Sequence, residues 1–186
     1  MKKVYYSIKQ LNTESLLFDT LKAHAVTDSS ICAWNLLTSK INSTLGENLV
    51  NIEFLPSGKP VSDNLYISLS HSDTAVAIAF SKDAEVGVDI ELIKQNYPEK
   101  VARFLGNVQS VEAFYKLWTE REAVIKAKNY SALKKGAETE FCGITKTVIL
   151  NKKAFSLSVF GENAEFIEVW LFNVGCDGYI IGVIIF

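Results

Sequence analysis

Two acidic residues that stand two positions apart could hold a metal ion. Asp89 and Glu91 lie in segment 85–91, where valine and isoleucine alternate with glycine and the two acids. This period of two predicts a strand that carries both carboxylates on one face. Their repulsion is relieved by a proton or a cation, and hard oxygen ligands of this kind suit Mg²⁺. The alternative is the exposed polar face of an edge strand, which has the same pattern.

A glutamate and a lysine four residues apart form a second candidate. Apolar residues recur at helical spacing from Ser110 to about Lys128, and Glu122 and Lys126 share one face of that predicted helix. Such a pair could ligate a metal, accept a proton and neutralise phosphate charge. The alternative is an exposed ion pair that contributes little to stability.

His71 is a third candidate because it stands near the tip of a predicted hairpin. The alternating segments 65–70 and 76–80 flank residues 71–74 and predict its two strands. The histidine could donate hydrogen bonds to a phosphate, or it could be a turn residue with no partner.

Other kinds of catalytic site are excluded by what the sequence lacks. The chain has two histidines and no G-x-S-x-G elbow, which argues against a Ser-His-Asp hydrolase. Two histidines and three scattered cysteines also argue against a tetrahedral zinc site. The segment Gly58-Lys59-Pro60 does not have the P-loop pattern.

The candidate residues must be positioned by a mixture of strands and helices. Asp28 and the two serines after it predict the start of a helix that Gly46 ends. The other predicted elements are a strand at 3–8, a short helix after Thr13, a loop at 55–60, and strands at 155–160, 166–172 and 179–186.

The order of strand, helix and hairpin occurs twice, once over residues 3–80 and again over 85–186. We therefore expect an α+β fold of two similar halves, residues 1–84 and 85–186, packed as one unit. A site between the halves would be natural. Chance similarity between apolar strands is the alternative explanation of the repeat.

The composition is that of a globular protein with an ordinary core. Hydrophobic residues make up 48% of the 186 positions, and the formal net charge is −2. This charge argues against a dedicated nucleic-acid-binding protein, which usually has a basic surface. The three separated cysteines fit a reducing compartment, and no segment approaches the ~20 apolar residues of a membrane span. We expect a cytoplasmic protein that binds neither nucleic acid nor membrane.

Four segments, in their order, resemble the signature blocks of the 4′-phosphopantetheinyl transferase superfamily. The upstream block is Gly58-Lys59-Pro60, and the others are 67–72, 86–91 and 114–127. The last two have the patterns G-[IV]-D-[IV]-E and W-x-x-[KR]-E-A-x-x-K, which together are quite specific. The resemblance is to the broad-specificity, two-half branch (surfactin-synthetase-activating-like), and it implies two α+β halves related by pseudo-twofold symmetry.

The resemblance implies a transferase, a holo-[acyl-carrier-protein] synthase. It would move the 4′-phosphopantetheine arm of coenzyme A to a serine of an acyl or peptidyl carrier protein and release adenosine 3′,5′-bisphosphate. By resemblance, Asp89, Glu91 and Glu122 would ligate Mg²⁺. Glu122 would also be the base for the carrier serine, and Lys126 would stabilise transition-state charge beside Asp89.

The same resemblance implies which residues bind coenzyme A. Ser70 and His71 would contact its phosphates together with Lys126, and Lys59 would help hold the nucleotide. The partner would be a small acidic helical carrier domain of fatty-acid, polyketide or nonribosomal-peptide biosynthesis. A basic patch near Arg103 or near 134–135 could bind it, and we expect a monomer.

The chain departs from the family pattern at two places. Relatives of this branch usually have an arginine-rich segment before the first helix, whereas residues 22–28 contain no arginine. Lys22, His24 or Lys40 could replace those arginines at the 3′-phosphate of coenzyme A. The Gly-rich stretch that normally follows the second helix is replaced by residues 128–133.

Two other functions stay open at this point. The missing arginines favour a degenerate relative that binds coenzyme A or a carrier protein without turnover. An unrelated α+β Mg²⁺ phosphohydrolase would also fit the acidic residues, but it would need water-activating residues beyond those seen.

Overall fold

The fold is described from a computed structural model of the chain. The structure describes residues 28–45, 52–55, 58–63, 65–106, 108–128, 141–161, 166–173 and 181–185. The predicted strand at 3–8 and the predicted helix after Thr13 lie outside these ranges, as do Lys22, His24 and residues 134–135.

The described residues form three helices and nine strands. The helices are α1 (Asp28–Leu45), α2 (Glu99–Leu105) and α3 (Val111–Lys128). The strands are β1 (Glu53–Phe54), β2 (Pro60–Val61), β3 (Tyr66–Ser72), β4 (Ala75–Ser81), β5 (Val86–Leu92), β6 (Gly143–Leu150), β7 (Lys153–Gly161), β8 (Phe166–Asn173) and β9 (Ile181–Ile185). These elements confirm the predicted α+β class.

Helix α1 packs on a four-stranded antiparallel sheet. The strand order is β3-β4-β8-β9. The helix places Trp34, Leu37 and Ile41 in one buried cluster with Ile78 and Phe80 of β4. The spacing of these helical residues is the apolar periodicity from which the helix was predicted.

Helix α3 packs on a second antiparallel sheet with the strand order β5-β7-β6. On β5, Val86, Val88 and Ile90 lie in a buried cluster together with alanines of β4, which joins the two sheets face to face. The predicted alternation of β5 is therefore confirmed. The polar face of β5, which includes Asp89, is directed toward α3.

The His71 hairpin is confirmed, with one correction to its boundaries. The structure extends β3 to Ser72, so that His71 pairs with Val76 and only Asp73 and Thr74 form the turn. His71 is therefore a strand residue with a fixed direction, and not part of the loop.

Strands from both predicted halves share one sheet. β4 pairs along its length with β8, with Ala79 opposite Val169, although the predicted boundary between residues 84 and 85 separates them in sequence. The sheets are thus not divided at that boundary. The division into 1–84 and 85–186 and the twofold relation between halves stay predictions.

The two-residue strands β1 and β2, which flank and enter the predicted loop at 55–60, were not predicted, and neither were two longer elements. β6 is an edge strand of threonine, lysine and isoleucine residues, most of them at least partly exposed, so it lacks a continuous apolar pattern. Helix α2 has only seven residues, of which Ala102 alone is buried. Among the described residues, no helix is long and apolar enough to span a membrane.

Candidate active site

The candidate site begins where β5 and α3 approach each other at Gly87. A Cβ atom on Gly87 would lie 1.8 Å from the main-chain oxygen of Ala123 and 2.9 Å from the nitrogen of Ala127. Only glycine permits this approach, because real Cβ atoms do not come so close to other heavy atoms. The close packing brings Glu122 and Lys126 of α3 beside Asp89 of β5.

A pocket of about 270 Å³ collects most of the predicted site residues. We call it the carboxylate pocket. It is lined by Leu69, Ser70, His71, Asp89, Glu91, Trp118, Glu122 and Lys126. Of the predicted site residues, only Lys59 is not part of this lining.

Asp89 is the most constrained of the three acids. Its side chain is buried, and Oδ1 accepts hydrogen bonds from Ser70 Oγ at 2.8 Å and from Lys126 Nζ at 2.6 Å. Oδ2 is also buried and accepts no hydrogen bond from any residue that the structure describes. A buried carboxylate oxygen without a donor is costly, and a bound cation would satisfy it.

Glu122 faces the same pocket from the helix. Partial burial raises the pKa of its carboxyl group, and the nearby charge of Asp89 adds to the increase, while Lys126 and Arg121 oppose it. A carboxylate whose pKa is raised toward neutrality is a better proton acceptor than an ordinary surface glutamate. The geometry and the pKa therefore both suit Glu122 to the role of a general base.

The donor set fits Mg²⁺ better than a metal that needs a closed protein cage. Among the described residues, no three or more His, Cys, Asp and Glu side chains converge as a complete metal centre. Mg²⁺ is usually held by one or two carboxylates, several waters and the phosphates of a substrate. Asp89 with Glu91 or Glu122 could supply such carboxylates, and Asp89 Oδ2 accepts no hydrogen bond from the described residues that would compete with a cation.

A second cavity of about 360 Å³, which we call the apolar cleft, adjoins the carboxylate pocket. Trp34, Phe54, Ile67 and Ile125 contribute to its apolar walls. Lys59, His71 and Lys126 also line it, and the last two belong to both cavities. A ligand with an apolar or aromatic part and several phosphates would suit such a lining.

Lys59 ties the turn between β1 and β2 to the end of helix α3. Its Nζ donates a hydrogen bond to the carbonyl oxygen of Ala127, close to the carboxyl end of that helix, where a cation is favoured. Partial burial lowers the pKa of Lys59, and the negative charge of Glu85 opposes this change. This bond holds the side chain of Lys59, which lines the apolar cleft.

His71 is held between the two cavities. Its Nε2 lies 3.0 Å from Ser30 Oγ of helix α1. Partial desolvation of the ring and then the positive charge of Lys126 lower the pKa of His71, against the opposing charges of Glu91 and Asp89. The lowered pKa favours the neutral ring, which can donate one hydrogen bond to a phosphate.

Lys40 does not take the place of the missing arginines. Its side chain is fully buried, and its Nζ lies 3.7 Å from the centroid of the Trp170 ring. It lines neither the apolar cleft nor the carboxylate pocket. Of the three residues named as possible replacements for those arginines, Lys40 is therefore buried away from both cavities.

The predicted basic patch is described only at Arg103. This side chain is exposed on α2 and lies 3.4 Å from Glu99 as an i, i+4 pair. An exposed pair of this kind contributes little to stability, so Arg103 can exchange Glu99 for a partner's carboxylate at small cost.

Comparison with known proteins places the chain in a family. It is 32% identical over 136 residues to the 4′-phosphopantetheinyl transferase AcpT of Salmonella typhimurium, covering 61% of this chain and 67% of that protein. It is 31% identical over 116 residues to the 4′-phosphopantetheinyl transferase AcpT of Escherichia coli O157:H7, covering 54% of this chain. No protein-family model matches the chain. The chain belongs to the 4′-phosphopantetheinyl transferase family.

The comparisons confirm the predicted family, and the particular branch stays a prediction. The chain spans 57% of the length of the Escherichia coli O157:H7 protein. The fold and the two cavities therefore describe a member of the family, whose own substrates and partners are proposed below.

Proposed function

We propose that this protein transfers the 4′-phosphopantetheine arm of coenzyme A to a serine of an acyl or peptidyl carrier protein. The reaction needs Mg²⁺ and releases adenosine 3′,5′-bisphosphate. The observation that carries the proposal is the carboxylate pocket, where Asp89, Glu91, Glu122 and Lys126 open into a cleft that also holds Lys59 and His71. Membership in the family supports the same reaction.

Coenzyme A has chemical groups that match the two cavities. Its adenine ring suits the apolar cleft, where Trp34 and Phe54 provide aromatic surface. Its phosphates suit the cationic side of the cleft, where Lys59 and Lys126 supply charge and neutral His71 supplies a hydrogen-bond donor. The pyrophosphate would then lie beside the carboxylate pocket.

The chain supplies the groups that such a phosphoryl transfer requires. The carrier serine Oγ forms a bond to the phosphorus of the phosphopantetheine arm, and the bond from that phosphorus to the bridging oxygen breaks. Glu122 accepts the serine proton, for which its raised pKa suits it. Lys126 stabilises the negative charge that develops on the phosphate oxygens.

Mg²⁺ bound by Asp89 with Glu91 or Glu122 would neutralise charge on the pyrophosphate and polarise the attacked phosphorus. Lys126 already pairs with Asp89 Oδ1, so that Oδ2 is the oxygen available to the metal. By occupying Oδ1, the lysine would leave Oδ2 as the oxygen for a cation.

The carrier protein supplies the nucleophile, which is its serine hydroxyl. The chain supplies the general base that accepts the serine proton. An acidic carrier domain could bind near exposed Arg103, which lies on the helix that packs against α3. We propose a monomeric, cytoplasmic enzyme, and carriers of fatty-acid, polyketide and nonribosomal-peptide synthesis all remain candidate substrates.

The proposal is tested by incubating the protein with coenzyme A, Mg²⁺ and several apo carrier proteins, followed by intact-mass analysis of the carriers. Gain of one phosphopantetheine by at least one carrier is the expected result. Glu122→Gln, which keeps the shape of the side chain, should transfer at least about 100-fold more slowly because the base is lost. Coenzyme A binding without transfer to any carrier would instead indicate a degenerate relative.

A further inference from the structure

Three serines on β3 face the neighbouring strand β5 and form what we call the serine row. Ser68, Ser70 and Ser72 alternate along β3, so that their side chains point the same way. Their hydroxyl oxygens accept hydrogen bonds from the main-chain N–H groups of β5 at Val88 (3.0 Å), Ile90 (3.3 Å) and Leu92 (3.1 Å).

The serine row joins the edges of two different sheets. β3 is an edge strand of one sheet and β5 is an edge strand of the other. Each bonded pair is 20 residues apart, so the two strands run parallel. The hydroxyls replace the carbonyl oxygens of an ordinary ladder, and they satisfy N–H groups that would otherwise be left at a sheet edge.

Two members of the row also bond to the candidate metal ligands. A serine hydroxyl has one proton, and because each oxygen already accepts an N–H, that proton is left to donate. Ser70 donates it to Asp89 Oδ1 at 2.8 Å, and Ser72 donates it to Glu91 Oε2 at 2.6 Å. The residue 19 positions after Ser68, which corresponds to Asp89 and Glu91 in the other two pairs, is Gly87, and it has no side chain to accept a hydrogen bond.

We propose that Ser72 is a positioning residue for a divalent cation, because its hydroxyl fixes the direction of the Glu91 carboxylate, as Ser70 does for Asp89. The inference rests on the proposed function, since it concerns the same carboxylate pocket. It deepens that function by assigning a role to a residue outside both cavity linings. In all three serines, the hydrogen bond from a main-chain N–H of β5 holds the two strands together. In two of them, the second bond orients a carboxylate that could bind the cation.

Ser68→Ala is the matched control for Ser72→Ala. Each variant removes one hydrogen bond from a main-chain N–H of β5, and Ser72→Ala also removes the bond to the Glu91 carboxylate. We expect Ser72→Ala to weaken Mn²⁺ binding by roughly 10- to 100-fold, as loss of a residue that orients a metal ligand usually does. Ser68→Ala should leave Mn²⁺ affinity within about twofold of the unaltered protein. Ser72→Thr, which keeps the hydroxyl, should restore the affinity.

The measurement is titration of the metal-free full-length protein with Mn²⁺, with free Mn²⁺ followed by electron paramagnetic resonance. Circular dichroism checks that each variant is folded. If Ser72→Ala does not fold, Ser72→Cys replaces it, because a thiol fills similar space but donates poorly. Equal affinities in the Ser68 and Ser72 variants would overturn the proposal, as would failure of the unaltered protein to bind Mn²⁺.

Transfer activity is measured separately, so that the proposed reaction and the proposed role of Ser72 can be rejected independently. Absence of transfer by the unaltered protein, with a Mn²⁺ difference between the variants, would reject the proposed reaction and keep the role of Ser72. Transfer by the unaltered protein, with no Mn²⁺ difference, would keep the reaction and reject that role. In an active enzyme, Ser72→Ala should raise the Mg²⁺ concentration needed for half-maximal rate more than it lowers the rate at saturating Mg²⁺.

Discussion

Gly87→Ala tests whether the close contact between β5 and α3 builds the site. The added Cβ would lie 1.8 Å from Ala123 O, a distance at which the two atoms overlap strongly. The oxygen belongs to the helix main chain and cannot rotate away, so α3 must withdraw by roughly 1 Å or more. Overpacking of this kind costs about 3 kcal/mol, at the upper end of its usual range, because no flexible side chain can yield.

The same shift should also reduce the activity of the molecules that stay folded. Helix α3 carries Glu122 and Lys126, and a displacement of about 1 Å can cost on the order of 100-fold in rate. We expect urea denaturation of Gly87→Ala to show the loss in the free energy of unfolding. Transfer per folded molecule, measured with coenzyme A and an apo carrier, should fall by about 100-fold.

Two further variants separate the contact from general instability. Gly143→Ala would place a Cβ 2.0 Å from Val159 O, a similar collision that lies between β6 and β7 and not against α3. It should lose stability but keep most of its transfer rate per folded molecule. Ala123→Gly should not rescue Gly87→Ala, because the collision is with a main-chain atom. Rescue by Ala123→Gly, or unchanged stability in Gly87→Ala, would refute this reasoning.

The remaining predictions concern Lys40, Lys126 and Thr119. Burial lowers the pKa of Lys40 to about 8, so the unfolded chain binds more protons between that pH and about 10.5, and stability should rise with pH across this window. Between pH 7 and 10.5, the free energy of unfolding of the unaltered protein, measured in urea, should rise by up to about 3 kcal/mol relative to that of Lys40→Met. A difference between the two proteins that does not vary with pH would contradict this. Lys126→Met should weaken coenzyme A binding by roughly 10- to 100-fold in isothermal titration calorimetry, since a charge-assisted bond is lost. Lys116→Met on the same helix, whose exposed ammonium lies 3.9 Å from Glu120, should leave binding unchanged, and equal losses would contradict the assignment of Lys126. Thr119→Val should lower the free energy of unfolding by about 1–3 kcal/mol, because the buried Thr119 hydroxyl lies 2.9 Å from Ser156 Oγ and 2.8 Å from Ser158 Oγ. Thr119→Ser keeps the hydroxyl and should cost less. Unchanged stability in Thr119→Val would show that the hydroxyl bonds contribute nothing.

Local periodicity predicted the elements that carry the site. The alternation around Asp89 placed both strand carboxylates on one face, and helical spacing placed Glu122 and Lys126 on another. Their meeting could not be derived from spacing alone, because it depends on contact between residues more than 30 positions apart in the sequence. The family resemblance supplied that information, and the carboxylate pocket agrees with it.

Pairings between distant strands were beyond prediction for the same reason. Nothing in β4 or β8 alone indicates that they are neighbours, so the sheet that crosses the predicted boundary between residues 84 and 85 was missed. The hydrogen bonds from the serine row to the carboxylates of β5 also depend on contact between distant strands. The alternation of Ser68, Ser70 and Ser72 was visible, but only the structure shows that β5 lies opposite them.

The burial of Lys40 could have been predicted from the helix pattern. Lys40 stands three residues after Leu37 and four after Leu36, which both lie on the buried face of α1. The same spacing that placed the apolar residues in the core also places this lysine there. The sequence interpretation named Lys40 only as a possible replacement for the missing arginines and did not use the helical period, which predicts its burial.

The central claim is that the carboxylate pocket performs phosphopantetheine transfer. It is tested most directly by the intact mass of apo acyl and peptidyl carrier proteins after incubation with coenzyme A, Mg²⁺ and either the unaltered protein or Asp89→Asn. We expect the unaltered protein to add one phosphopantetheine to a carrier serine and Asp89→Asn to add none in the same time. Equal modification by the two proteins, or no modification of any carrier by the unaltered protein, would contradict it.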